Sequence, residues 1–209
     1  HGHLECMRTS DGQPHVAHTS NRVPFLVFSP DGGVHGLEDG ALPTGKLADV
    51  APTVLAAMSI PQPPLMDGAA LCRFDGARKV LLIILDGWGD GPADETNPIH
   101  LSGTPCFDAL QSACPRVLLR ASGDAVGLAA SKAGNSEAGH MNIGAGRVVM
   151  QDDVRLDNAM CDGSFTENPV FLKVMDDVKA RHGALHLLAL LTKKSSHGSI
   201  DYPLALLKL

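Results

Sequence analysis

The stretch Gly134-Asn135-Ser136-Glu137-Ala138-Gly139-His140, continuing through Met141-Asn142-Ile143-Gly144-Ala145-Gly146-Arg147, sets one hydroxyl in a permissive piece of backbone. Glycine adopts positive φ and admits a ligand close to the main chain, and asparagine tolerates the same region. Ser136 therefore has two readings. It is a helix N-cap, a position serine favours, or it is a nucleophile beside free N–H groups and a positive dipole end that suit a transferring phosphoryl group. A serine hydroxyl is weakly nucleophilic at neutral pH, and no histidine stands in a G-x-S-x-G elbow to activate it. A divalent metal would: it stabilises the alkoxide, and two close ions clamp both ends of an in-line phosphoryl displacement.

The donor types for such a metal are present. Asp86, His1 and His18 suit Mn²⁺ or Zn²⁺, and carboxylate-rich sites also accept Mg²⁺. His1, His3, His15 and His18 crowd the start of the chain, although His15-x-x-His18 by itself is as compatible with surface histidines as with ligands. Asp86 precedes Gly87 and also reads as an Asx turn.

The elements that must hold these residues follow from pattern. Residues 1–22 read as loops and 23–28 as a short strand with Pro24 at its start. From Asp49, taken as N-cap, the spacing Val50, Val54, Leu55, Met58 gives one apolar face of a helix, with Pro52 confined to its first turn. Residues 79–85, Lys-Val-Leu-Leu-Ile-Ile-Leu, predict a strand buried on both faces of a parallel sheet, with Asp86 at its carboxyl end, where ligands sit in open α/β sheets. Helices are expected over 106–113 and from Asn168-Pro169 to before Gly183, with strands at 116–121 and 185–192. A last helix begins at 200, and its pattern, still running at Leu209 without a C-cap, suggests a truncated polypeptide.

With 209 residues, 44% of them hydrophobic, the chain can bury a core as one large domain or two small ones. A net charge of −6 and the lack of a basic stripe argue against nucleic acid or an anionic membrane as partner. The longest apolar run, residues 80–85, is far too short to span a bilayer, and the first residues lack the pattern of a signal peptide. Five cysteines without a CxxC pair read as reduced thiols, which makes a cytoplasmic protein the expectation.

Three motifs taken as a set carry a resemblance. Leu85-Asp86-Gly87-Trp88-Gly89, Gly134-Asn135-Ser136-Glu137-Ala138-Gly139-His140 and Asn142-Ile143-Gly144-Ala145-Gly146-Arg147 resemble the amino-terminal part of cofactor-independent (2,3-bisphosphoglycerate-independent) phosphoglycerate mutase, and Asp162-Gly163-Ser164-Phe165 and Ala184-Leu185-His186-Leu187 extend the likeness over about residues 78–209. The first segment resembles the other end of that family. His1-Gly2-His3-Leu4-Glu5-Cys6-Met7 is similar to its D-H-G-N-A-E-x-M motif, and residues 14–25 to P-H-T-A-H-T-x-N-P-V-P-F; Leu47-Ala48-Asp49-Val50-Ala51-Pro52-Thr53 matches too. The order is inverted, which neighbouring termini make tolerable.

The resemblance implies an α/β fold: an alkaline-phosphatase-like parallel sheet flanked by helices, incomplete, with the start of a second α/β transferase domain. Residues 1–72 would be the carboxy-terminal segment of the phosphatase-like domain, 73–150 its amino-terminal segment, and 151–209 the truncated start of the transferase domain. It implies interconversion of 3-phosphoglycerate and 2-phosphoglycerate, a step of glycolysis and gluconeogenesis, through a phosphoserine at two Mn²⁺ ions, with Mg²⁺ or Co²⁺ in some members and no 2,3-bisphosphoglycerate. Carried over, Ser136 is the nucleophile; Asp86, Ser136 and His1 hold one metal and His18 the other; His197 meets the substrate phosphate. Around His197 the family's S-D-G-G-V-H-S-H is replaced by Thr192-Lys193-Lys194-Ser195-Ser196-His197-Gly198-Ser199, a more basic and less flexible loop. The family's D-x-x-G-H pair is not found, so weak metal binding is expected of a lone copy. A metal-dependent phosphatase, and an inactive fragment that needs a complementary chain, are the rival expectations.

Overall fold

The computed structural model describes residues 1–9, 11–193 and 198–209, which fall into two compact units, His1–Val149 and Met150–Leu209. The first contains β1 (Val23–Leu26), β2 (Val34–His35), α1 (Val50–Ala57), β3 (Arg73–Phe74), α2 (Pro98–Ser102), α3 (Pro105–Ala113), β4 (Arg116–Leu119) and α4 (Ser136–Ala145). The second contains α5 (Asp152–Asp162), α6 (Pro169–Ala180) and α7 (Asp201–Lys208).

In the first unit β1 pairs antiparallel with β4, Val23 opposite Leu119 and Leu26 opposite Arg116, so residues nearly a hundred apart in sequence share one ladder. Leu119 turns inward and, at 1% exposed, lies in a core with Leu47, Val50, Leu71, Ala121, Val126, Leu128 and Ala138. Burial of a leucine on that scale contributes about 1.5–3 kcal/mol. Ala138 and Ile143 bring α4 to this core, while Leu47 and Val50 bring the start of α1. Residues from before and after position 78 thus build one apolar cluster.

Asp49 begins α1, as its sequence context suggests, but its carboxylate does not cap the helix. It turns back instead: Oδ2 accepts from the Lys46 N–H at 2.8 Å and Oδ1 from the Ala69 N–H at 2.9 Å. Thr53 continues the tie, donating to the Asp49 carbonyl at 2.7 Å and accepting from the Leu71 N–H at 3.0 Å. The connection through residues 61–78 is pinned to α1 by these bonds. The expected helices after Thr104-Pro105 and Asn168-Pro169 are present, and a short helix that the sequence reading did not expect starts at Asn97-Pro98; all three place proline where its missing N–H costs nothing.

Two expectations about strands fail. Residues 79–85 form no strand, and the run is exposed, Leu81 to 83% and Ile83 to 70%. Residues 185–192 likewise form no strand, with Leu188 99% exposed. A continuous apolar strand needs neighbours on both edges and cover on both faces, and the described residues supply neither. The parallel sheet is therefore not seen: among the described residues there are two two-stranded antiparallel sheets, β1 with β4 and β2 with β3, and Lys46 and Arg120 make an isolated parallel bridge. The mixture of helix and strand stands.

In the second unit Phe165, 6% exposed, packs edge-on against Phe171 of α6, centroids 5.3 Å apart, and beside Tyr202 of α7 at 6.0 Å. Tyr202 donates to Asp157 of α5 at 3.0 Å. Burial and that carboxylate push the Tyr202 hydroxyl up to about 12.

Candidate active site

Asp86 stands on a sharp turn. Gly87 has φ of 76°, the left-handed region that favours glycine, and its N–H donates to Asp86 Oδ1 at 3.0 Å. The Gly87 carbonyl accepts from the N–H groups of His3 at 3.1 Å and Leu4 at 2.8 Å. Trp88 packs edge-on against Phe107 of α3 at 5.0 Å, which fixes the far side of the turn. The Asx turn read from sequence is not formed, because the Trp88 N–H goes to the Leu85 carbonyl at 3.3 Å and the carboxylate takes the Gly87 N–H instead; the carboxylate is left 46% exposed with its second oxygen free to meet other groups.

Ser136 is the first residue of α4, and the cap is its neighbour: Asn135, in extended backbone, accepts the Ala138 N–H at 2.8 Å. The N-cap reading of Ser136 is thereby corrected, because the asparagine takes that role and releases the hydroxyl. Ser136 Oγ donates to Asp86 Oδ2 at 2.8 Å. His140, one turn on, directs Nδ1 to the Ser136 carbonyl at 2.8 Å and not to the hydroxyl. Buried Asn142 locks α4, its amide donating to the carbonyls of Val126 at 3.0 Å and Ala138 at 2.7 Å while accepting from the Val149 N–H at 3.0 Å.

Gly134 serves close approach and not positive φ. A Cβ there would overlap the Ala121 carbonyl oxygen and press on His1 Cβ at 3.1 Å. The glycine lets the segment ahead of Ser136 run flush against the core residue Ala121 and the first residue.

His1 completes the cluster. Its side chain is 5% exposed and its Nδ1 lies 3.1 Å from Asp86 Oδ1. That separation lacks the alignment of a hydrogen bond, and Nδ1 is buried with no hydrogen-bond partner among the described residues. An orphaned buried ring nitrogen is costly. A carboxylate, an imidazole without a hydrogen-bond partner and a hydroxyl within reach of one another are donors of the type that hold a divalent metal, so the donor set fits one at Asp86, Ser136 and His1. The His18 ring lies 4.2 Å from that of His1, centroid to centroid.

Sequence reasoning named His3 among the early histidines but gave it no role; its ring meets His18 edge-on at 5.6 Å and its Nδ1 lies 3.0 Å from the Ala17 carbonyl oxygen. The clustering of early histidines was its only signal. His15 turns away, Nδ1 lying 3.1 Å from the Cys6 carbonyl oxygen. His197 lies outside the described residues. Among the described residues no three His, Cys, Asp or Glu side chains converge closely enough to hold an ion by themselves. The cluster is two such side chains and a hydroxyl, with His18 alongside.

Comparison with known proteins agrees with this chemistry. The chain is 50% identical over 132 residues to the 2,3-bisphosphoglycerate-independent phosphoglycerate mutase of Myxococcus xanthus (strain DK1622), covering 63% of this chain and 26% of that protein. It is 45% identical over 130 residues to the protein of that name from Gloeothece citriformis (strain PCC 7424), 62% of this chain and 24% of the other. With 2,3-bisphosphoglycerate-independent phosphoglycerate mutase 2 of Methanosarcina barkeri (strain Fusaro / DSM 804) it shares 46% identity over 132 residues, 63% and 25% of the two chains. The chain spans about a quarter of the length of these relatives. No solved structure matches it. Residues 78–198, more than half of its length, match the Metalloenzyme superfamily, and the chain belongs to that superfamily.

Proposed function

We propose that this chain carries the nucleophile of a metal-dependent phosphotransferase that interconverts 3-phosphoglycerate and 2-phosphoglycerate. The observation that supports it is the 2.8 Å hydrogen bond from Ser136 Oγ to Asp86 Oδ2, beside the orphaned Nδ1 of His1. The identity of 45–50% to phosphoglycerate mutases supports phosphoglycerate as the substrate class. Ser136 Oγ attacks phosphorus as its proton leaves, the ester bond to the glycerate oxygen breaks and that oxygen takes up a proton; the other glycerate hydroxyl then gives up its proton as it attacks the phosphoserine, and Ser136 Oγ departs and is reprotonated. Asp86 orients Oγ for this, and the start of α4 turns its N–H groups and dipole toward the phosphoryl oxygens. A divalent ion bound by Asp86, Ser136 and His1, with His18 serving a second, would lower the pKa of the hydroxyl and offset charge on the phosphoryl group. Mn²⁺ is the ion proposed, and Mg²⁺ or Co²⁺ would serve. His197 meets the substrate phosphate, and the protein works in the cytoplasm. Among the described residues no helix is long and apolar enough to cross a membrane.

We further infer that residues 1–72 and 73–150 are two segments of one phosphatase-like domain in permuted order and that 151–209 begin a transferase domain. The pairing of β1 with β4 and the shared core support the first part. A complementary chain is a second reading, favoured by the exposed apolar run at 80–85. The experiment assays the Mn²⁺-supplemented chain on 3-phosphoglycerate beside Ser136→Ala. Isomerised product from the unaltered chain alone supports the mutase; free phosphate instead makes it a phosphatase, and activity only on adding the remaining family segments supports complementation. Equal rates for both proteins remove Ser136 from the mechanism.

A further inference from the structure

Glu5 is fully buried, and among the described residues no lysine, arginine or histidine pairs with it. A carboxylate in that position is costly unless its oxygens are well supplied with donors. Oε2 accepts the N–H of His3 at 2.7 Å and of Gly89 at 3.1 Å. Oε1 accepts the Thr19 hydroxyl and the Asn21 amide, the latter at 3.0 Å. Such charge-assisted bonds are about twice as strong as neutral ones.

The donors come from three places. His3 is two residues from His1, Thr19 adjoins His18, and Gly89 is three residues beyond Asp86. One carboxylate therefore ties together the three stretches that deliver the imidazoles and the carboxylate of the site. Neighbouring glycines make room for it: a Cβ at Gly2, Gly89 or Gly91 would run into the Glu5 side chain. The Gly2–Thr19 bridge, with Thr19 N–H donating to Gly2 at 2.9 Å, closes the same loop from the other side.

We infer that Glu5 is a positioning residue that sets His1 and His18 against Asp86 for cation binding. This rests on reading His1, Asp86 and Ser136 as a cation site. Glu5→Gln keeps the size of the side chain but replaces one acceptor oxygen by a donor facing other donors. Groups that orient metal ligands typically account for about 10–100-fold in affinity, so Mn²⁺ binding followed by electron paramagnetic resonance should weaken at least about tenfold on the same scale. Thermal melting without metal is measured alongside. Leu119→Ala, which removes core burial and none of the hydrogen bonds of Glu5, should lower the melting temperature and leave Mn²⁺ affinity unchanged.

If Glu5→Gln does not fold, Gly89→Ala, which crowds the carboxylate, and Thr19→Val, which removes one donor, replace it with the same expectation. Should Glu5→Gln bind Mn²⁺ as the unaltered chain does, with or without a lower melting temperature, the positioning role is overturned. If the unaltered chain binds no Mn²⁺, the cation-site reading itself fails.

Discussion

Ser136 Oγ and Asp86 Oδ2 lie 2.8 Å apart across 50 residues of sequence. Two backbone devices make that meeting. Asn135 takes the capping duty at α4 and leaves the serine hydroxyl unengaged by the helix, while Gly87 turns the chain so sharply that Asp86 projects toward it. Asn135→Ala should therefore cost about 1 kcal/mol through the lost cap. Its catalytic effect should be larger than its loss of stability explains, because the alternative cap is Ser136 itself. Chemical denaturation and turnover of the same preparation check both.

Gly134→Ala should be more damaging than its distance from the hydroxyl suggests. The added methyl meets the Ala121 carbonyl oxygen, which is backbone and cannot swing aside, and it presses on His1. Overpacking of this kind costs about 1–3 kcal/mol. A melting temperature several degrees lower, together with weaker Mn²⁺ binding, is the expected result.

Asn142→Leu should destabilise by about 2–3 kcal/mol, since three hydrogen bonds of a buried amide are lost together. The affected groups are the carbonyls of Val126 and Ala138 and the N–H of Val149. Denaturant titration measures the loss. Hydrogen exchange should show faster opening at the end of α4.

Much of this site was legible in the sequence because its residues are polar and close to glycines, where few roles compete. Asp86, Ser136, His1 and His18 were candidates by residue type and were assigned to one site by the family resemblance, and the structure gathers Asp86, Ser136 and His1 while setting His18 against His1. The Asn135 cap was not legible, because serine and asparagine are equally good caps and only geometry decides between neighbours. Glu5 was invisible as a buried group because nothing in its local pattern separates it from a solvated carboxylate. The fold was read well where helices begin at Thr104-Pro105 and Asn168-Pro169, while the short helix at Asn97-Pro98 was missed. It was misread at 79–85 and 185–192, where apolar content predicts a buried strand but a strand exists only if another strand lies beside it.

Cys72 and the exposed cysteines should differ in reactivity. Burial pushes the Cys72 thiol up from 9.0 to about 11, whereas Cys106 and Cys161 are exposed. Thiolate is the reactive form, so a maleimide at neutral pH should label Cys106 and Cys161 first and Cys72 only on unfolding. The unfolded thiol ionises before the folded one, so this group's effect on stability is flat below about pH 9 and becomes unfavourable as pH rises from 9 to about 11. Peptide mapping after timed labelling decides the order, and Cys72→Ser should flatten the alkaline fall in melting temperature.

The most direct measurement is a Mn²⁺ titration of the unaltered chain and of Asp86→Asn, followed by the resonance of the free ion. Removing the charge that faces both Ser136 Oγ and His1 Nδ1 should weaken binding by at least about tenfold, on the scale expected for groups that hold or orient a metal, while the melting temperature without metal stays close to that of the unaltered chain. Equal affinity in the two proteins would contradict the assignment of Asp86, Ser136 and His1 to a common metal site.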